Sequence, residues 1–181
     1  MGLDMYLTKE IYIGAEYAHR KVTGAVDIQI NGEPVNIQFN KIQSIIEKVG
    51  YWRKANAIHQ WFVDNVQEGE DDCKKYEVSC GQLTKLLQDV TKVLEASQLE
   101  NGMIENGQKF EDGKWLPIFE SGEIIRDSSL AEEILPTARG FFFGSTDYDQ
   151  YYYEDLEYTK ELLEEILSEN SDGEFYYHSS W

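Results

Sequence analysis

The chain is poor in the residues that build the most readily recognised sites: two cysteines, three histidines and three prolines among 181 residues. Cys73 and Cys80 cannot supply a disulfide framework, which points to a reducing, cytoplasmic compartment. His19, His59 and His178 lie far apart, with no His-x-x-x-His and no Cys-x-x-Cys, so no zinc site is expected. Asp147-Tyr148-Asp149 begins like an EF-hand loop, but Tyr152 stands where that loop needs glycine and Tyr158 where it needs glutamate. Gly140 to Gly144 is not followed by Gly-Lys-Ser/Thr, and Gly144-Ser145 lacks the rest of a nucleophile elbow. Neither a metal nor another cofactor is therefore expected. Basic charge is scarce as well, with 16 Lys plus Arg against 34 Asp plus Glu and a net charge of -18. Such a chain is not expected to bind bare DNA or RNA, which requires clustered cations at the phosphates. No run approaches the roughly 20 apolar residues of a membrane span, and no secretory leader is expected.

What is present is acid and tyrosine, unevenly placed. Residues 1–62 carry seven bases and six acids, so nearly all the negative charge lies beyond them. Residues 146–174 hold eleven acids opposed by Lys160 alone. A smaller knot is Glu68, Glu70, Asp71 and Asp72. Aromatic residues make up 13% of the chain, too many for intrinsic disorder despite the charge.

The periodicity predicts a single α+β domain over residues 1–181, with a small, mostly antiparallel sheet and three main helices packed on it. Short strands are expected at Met5–Leu7 and Ile11–Ile13. A hairpin is expected from Val26–Ile30 and Val35–Phe39, joined through Asn31-Gly32-Glu33-Pro34. Ile42, Ile45, Ile46, Val49 and Trp52 keep helical spacing and predict a helix from about Asn40. A second run, Ala55 to Val66, predicts another ending by Gly69. Lys75 to Ser79 suits a short strand. Ser79 with Gln82 forms a capping-box pattern opening a helix from about Cys80 to Ala96. Residues 97–122, with four glycines and Pro117, read as a long irregular excursion that has room for one ragged hairpin and is where any lid or flexible element is expected. Ser129 is expected to cap a short helix from Leu130 to Leu135. A long helix is expected from about Gln150 to Glu169, ended by Asn170 to Gly173, and a last strand from Glu174 to Ser179.

Three places draw chemical attention. Trp52, Arg53, Asn56 and His59 share helical faces and would line a polar cleft, with His59 as general base and Arg53 as anion clamp. The competing reading is a buried histidine that serves the fold. Cys73, beside Lys74 and Lys75, is expected to be a half-buried small hydrophobe, since the acids around it disfavour a thiolate. The third place is Asp147, Tyr148, Asp149, Tyr151, Tyr152, Tyr153, Glu154 and Asp155, the densest mixture of carboxylates and tyrosines in the chain. Tyrosines are rigid interface anchors, and carboxylates on successive helical turns repeat about every 5–6 Å. A face carrying both imitates a phosphate backbone and fits a basic groove meant for DNA.

Three blocks carry a resemblance: Met1-Gly2-Leu3-Asp4-Met5-Tyr6-Leu7, Tyr51 to His59, and Gly140 to Asp149, joined by the closing Tyr176-Tyr177-His178-Ser179-Ser180-Trp181. Together they resemble a family of small acidic proteins carried by bacteriophages and prophages. The chain is also similar to type II anti-CRISPR proteins, which inhibit Cas9. The resemblance implies a phage protein acting in the cytoplasm of a bacterial host, on a basic nucleic-acid-binding partner such as Cas9 or its guide-RNA complex, without catalysis. It assigns no residue a role. Two alternatives stay open: a small phage metabolic enzyme using the Trp52, Arg53, Asn56 and His59 cleft, and a structural or scaffold protein of the virion.

Overall fold

A four-stranded antiparallel sheet, its strands in the order Ser44–Arg53, Asp4–Tyr12, Glu174–Ser180 and Tyr76–Val78, brings the two ends of the described chain side by side. The computed structural model describes residues 2–13, 27–140, 142–169 and 173–181. The elements in order are β1 (Asp4–Tyr12), β2 (Ile28–Ile30), β3 (Glu33–Val35), β4 (Ser44–Arg53), α1 (Asn56–Asn65), β5 (Tyr76–Val78), α2 (Cys80–Ala96), β6 (Leu99–Glu111), β7 (Lys114–Ile125), α3 (Ser129–Ile134), α4 (Gln150–Ser168) and β8 (Glu174–Ser180). The fold class is α+β, as the periodicity predicts, with α1, α2 and α4 as the main helices. The two short strands expected before residue 14 are one strand, β1, in which Met5 and Leu7 alternate inward with partly exposed neighbours.

The core lies between the sheet and α1, α2 and α4. Leu3, Met5, Leu7, Trp52 and Tyr177 face Ile58, Phe62, Leu83, Leu86, Val90, Leu156 and Leu163 across it. Tyr177 stacks on Phe62 with ring centroids 3.9 Å apart. The Ser79–Gln82 capping box opens α2 as expected: Ser79 Oγ accepts from the Gln82 amide at 3.2 Å, and Gln82 Oε1 accepts from the Ser79 amide at 2.9 Å. Asp149 caps α4, its Oδ1 accepting from the amides of Tyr151 and Tyr152 at 2.9 and 3.1 Å.

Two expected elements differ. The run around Ile42 to Trp52 forms β4, paired antiparallel with β1 from Asp4↔Arg53 to Tyr12↔Ser44, rather than a helix. The apolar positions 42, 45, 46, 49 and 52 follow helical spacing and do not alternate with period two, and Ile45 and Ile46 are both exposed in the strand. The β-branched and aromatic content, and an available partner strand, decide for the sheet. Gly50 is part of the answer, because a Cβ there would sit 2.7 Å from Leu162 Cδ2 of α4, so glycine lets the helix lie close on the strand.

The second difference is residues 97–122. They belong to a hairpin of 13 and 12 residues, β6 and β7, reversed at Asp112-Gly113 with φ of +51° and +80°. Two positive φ values make the two-residue turn that matches strand twist. The register slips between Glu105 and Gln108, next to Gly107, which bends the ribbon. The β2–β3 turn is likewise tighter than expected, two residues (Asn31-Gly32) rather than four, with Pro34 inside β3 opposite Gln29. Val26 and Asn170 to Asp172, parts of the expected first hairpin and helix end, lie outside the described residues. Cys73 is exposed at φ +57°, not half-buried, because it sits in the turn connecting α1 to β5.

The outer half of the β6–β7 hairpin touches little of the core. Phe110, Trp115 and Phe119 are 55–66% exposed. Replacing residues 109–116 by a two-residue Asn-Gly turn is therefore expected to shift the melting temperature by under about 2 °C, because it removes no buried side chain. Differential scanning calorimetry checks this, and a loss of several degrees would mean the ribbon supports the core.

Candidate functional site

An open cleft of about 800 Å³ lies where four segments meet: the β4–α1 corner (Arg53 to Ile58), the bent part of β6 (Glu105 to Gly107), the 137–149 loop, and the first turns of α4. Its position follows from the fold. The β4–α1 corner turns sharply at Lys54, whose φ is +64° and whose amide donates to the Leu3 carbonyl at 2.8 Å. Asn56 then holds the opposite wall. Its Nδ2 donates to the carbonyls of Phe143 (3.0 Å) and Ser145 (2.7 Å), and its Oδ1 accepts from the Ala138 amide at 2.9 Å. Asn56 is thus a clamp on the 137–149 loop, with every hydrogen-bonding atom of its amide oxygen and nitrogen engaged in structure.

The sequence-predicted cleft set splits. Arg53 and Asn56 line the cleft. Trp52 and His59 do not, because β4 and α1 turn them into the core. Trp52 Nε1 donates to Thr159 Oγ1 at 2.8 Å. His59 is 0% exposed, with Nδ1 2.7 Å from Tyr177 Oη and Nε2 3.1 Å from Asp71 Oδ2. A carboxylate can only accept, so Nε2 carries the proton and Nδ1 accepts from the Tyr177 hydroxyl. Burial pushes the Tyr177 phenol well above its ordinary value, which keeps it a donor. Trp181 Nε1 donates to Asp71 Oδ1 at 3.0 Å and completes the network, and Phe143 meets the His59 ring edge-on at 5.1 Å. With both ring nitrogens committed, His59 fits the structural reading and not that of a general base. Sequence reasoning missed Tyr177 and Asp71 as its partners, because they come from distant elements.

The acidic, tyrosine-rich segment also splits, along the helical period. Tyr152 is 6% exposed and its hydroxyl donates to the Leu135 carbonyl at 2.9 Å, so it anchors the fold rather than a partner. Tyr148 and Tyr153 are half-buried against the core, and Tyr148 Oη accepts from the Thr137 amide at 3.2 Å. Asp149 is spent as a helix cap. Asp147, Tyr151 and Glu154 remain exposed, and Asp155 is half-buried. Beyond them the outer face of α4 continues through Glu157, Tyr158, Glu161, Glu164 and Glu165, all exposed. Lys160 reaches Glu164 at 3.9 Å, the sole ion pair made by this face among the described residues. The acidic surface therefore runs further along the helix than the eight residues 147–155 singled out from sequence.

Burial and the neighbouring carboxylates of Glu154 and Asp149 push the Asp155 carboxyl up to about 7, and burial also raises Asp149. An acid whose folded pKa lies above its unfolded value loses stability as pH rises, here between about pH 4 and about pH 7. Asp155→Asn removes the charged form. It is expected to stabilise the protein by about 1–2 kcal/mol at pH 8, discounted because the group is only half-buried, with little gain near pH 4. Urea unfolding at the two pH values measures this; an equal gain at both would refute the assignment.

The fold and cleft define an α+β domain with an acidic helix along one side. Comparison with protein families, with curated proteins and with solved structures finds no match to this chain. Among the described residues no group of three or more metal-ligating side chains occurs, and no helix is long and apolar enough to cross a membrane.

Proposed function

We propose that this chain is a phage-encoded inhibitor of a host DNA-handling protein, most concretely an anti-CRISPR protein that occupies the DNA-receiving surface of Cas9. One observation carries the reading: Glu154, Glu157, Glu161, Glu164 and Glu165 form a continuous exposed face of α4 opposed by a single lysine. Carboxylates recur on it at each turn of about 5.4 Å, close to the interval between phosphates along a strand. Tyr151 and Tyr158, both exposed, add rigid aromatic contacts at its edge. A net charge of -18 far exceeds the magnitude of about 2–8 that solubility of a small domain needs. A groove that normally holds target duplex gains from this face the Coulomb attraction it would gain from DNA. The resemblance to small acidic phage proteins supports the same reading.

The enzyme alternative keeps the cleft but loses its base, since His59 is enclosed and fully bonded. Biolayer interferometry against Cas9–guide complex tests the proposal. Binding is expected at about 50 mM salt and is expected to weaken at least about tenfold by 200 mM, as for a charge-dominated interface. No binding at low salt rejects Cas9 as the partner.

A further inference from the structure

The β6–β7 hairpin carries an apolar stripe separate from the acidic face of α4. Trp115, Pro117 and Phe119 alternate onto one face of β7. Across the ribbon Phe110 stands opposite Trp115 and Met103 opposite Ser121, and residues paired in register share a face, so both join the stripe. The Phe110 and Trp115 rings lie 5.3 Å apart near the tip, and Met103, Phe110, Trp115 and Phe119 are all 55–66% exposed. Side chains of this size present about 200 Å² each, so the four leave roughly 500 Å² of apolar surface in water, enough to mark an interaction site. Glu105 and Glu123 share the face, both toward the root of the hairpin, while Lys109, Glu111 and Lys114 alternate onto the other face. In a chain with 34 acids, a stripe whose outer part bears no charge does not match the basic groove proposed for α4. It needs an occupant that is itself apolar and uncharged.

We infer that a second copy of this chain docks on the stripe, the two ribbons stacked face to face and running in opposite directions. A stable interface buries about 800 Å² per partner, of which about 56–58%, or roughly 450 Å², is apolar. The stripe supplies that amount, and an identical stripe matches it in area and in lack of charge. Stacking rather than edge pairing follows from the two edges. Pro117 has no N–H to give a further strand, and the register slip between Glu105 and Gln108 interrupts β6. The direction follows from charge. Ribbons running the same way would set Glu105 and Glu123 against the same acids of the other copy and bring two strongly acidic bodies together. Antiparallel ribbons set those acids against the uncharged end of the partner stripe. They also hold the bodies apart by about the length of β7, whose 12 residues span roughly 40 Å, several times the Debye length of about 8 Å. The same patch then serves both copies, as a two-fold dimer requires.

Sedimentation equilibrium of the purified chain tests this with no other protein present. The weight-average mass is expected to climb from 21.0 kDa at about 2 µM toward twice that value at about 200 µM, as for a reversible dimer. Trp115→Ser combined with Phe119→Ser changes only exposed side chains, so the variant should fold, which circular dichroism checks. It is expected to stay at the monomer mass throughout. Leu116→Ser combined with Ile118→Ser, on the other face of β7, is expected to leave the dimer intact. A wild-type chain that remains at 21.0 kDa at about 200 µM overturns the inference and leaves the stripe to a different protein. So does a dimer that survives in the Trp115→Ser, Phe119→Ser variant, or one lost equally in the Leu116→Ser, Ile118→Ser variant. The calorimetric comparison of the shortened ribbon belongs at the dilute end of this range, where both forms are monomers.

Discussion

Replacing Glu157, Glu161, Glu164 and Glu165 together by lysine is expected to abolish capture of the Cas9–guide complex and restore DNA cleavage. The four side chains are exposed on the outer face of α4 and take no part in its buried side, which is Tyr152, Leu156, Thr159, Leu162, Leu163 and Ile166. The change reverses four charges without emptying the core, so the domain should stay folded, which circular dichroism checks. Each pair of opposite charges lost at such an interface is worth about 1 kcal/mol or more at moderate salt, so four reversals remove at least about a thousandfold in affinity. Retained inhibition in the folded variant would place the interface elsewhere. Asp147→Lys and Glu154→Lys extend the same test to the cleft side of the helix.

His59→Ala is expected to destabilise the domain by about 3–5 kcal/mol, enough to unfold a large fraction of it near body temperature. The loss has two parts. A fully buried imidazole leaves a cavity against Phe143, and the Tyr177 hydroxyl and Asp71 carboxylate lose their shared partner. Tyr177→Phe removes one hydrogen bond and keeps the stack on Phe62, so its cost should be about 1–2 kcal/mol. Chemical denaturation of the two variants gives both values. A small loss for His59→Ala would contradict the structural role and reopen a catalytic one.

The sequence made legible those elements whose signals are local. The Ser79–Gln82 capping box sets the start of α2, Asp149 stands immediately before α4, and both lengths follow from apolar residues at helical spacing. The α+β class follows from the same patterns. Elements that depend on a distant partner were harder to read. The Ile45 to Trp52 run satisfies helical spacing and strand composition alike, and only pairing with β1 about forty residues earlier decides it. The β6–β7 hairpin was hidden by its glycines. Gly102 and Gly122 face each other across the ribbon because Ile104 and Ile124 occupy the space a Cβ would need, and Asp112-Gly113 is the local turn signal. At the candidate site, spacing put Trp52, Arg53, Asn56 and His59 on one helix. In fact the strand ends at Arg53 and the helix begins at Asn56, so the set diverges at that corner. The acidic segment opens α4 at Gln150, where its cap-type residues place a helix start. Composition could not say which tyrosines turn inward, and the 3.6-residue period, applied from Asp149, assigns Tyr152 inward and Tyr151 outward.

The most direct measurement is competition. A fluorescently labelled target duplex bound to catalytically inactive Cas9–guide complex reports displacement through its anisotropy. With the acidic face of α4 in the DNA-receiving groove, added protein should displace the duplex stoichiometrically at low salt, and progressively less as salt is raised. Duplex that stays bound in the presence of excess protein would contradict DNA mimicry by this face.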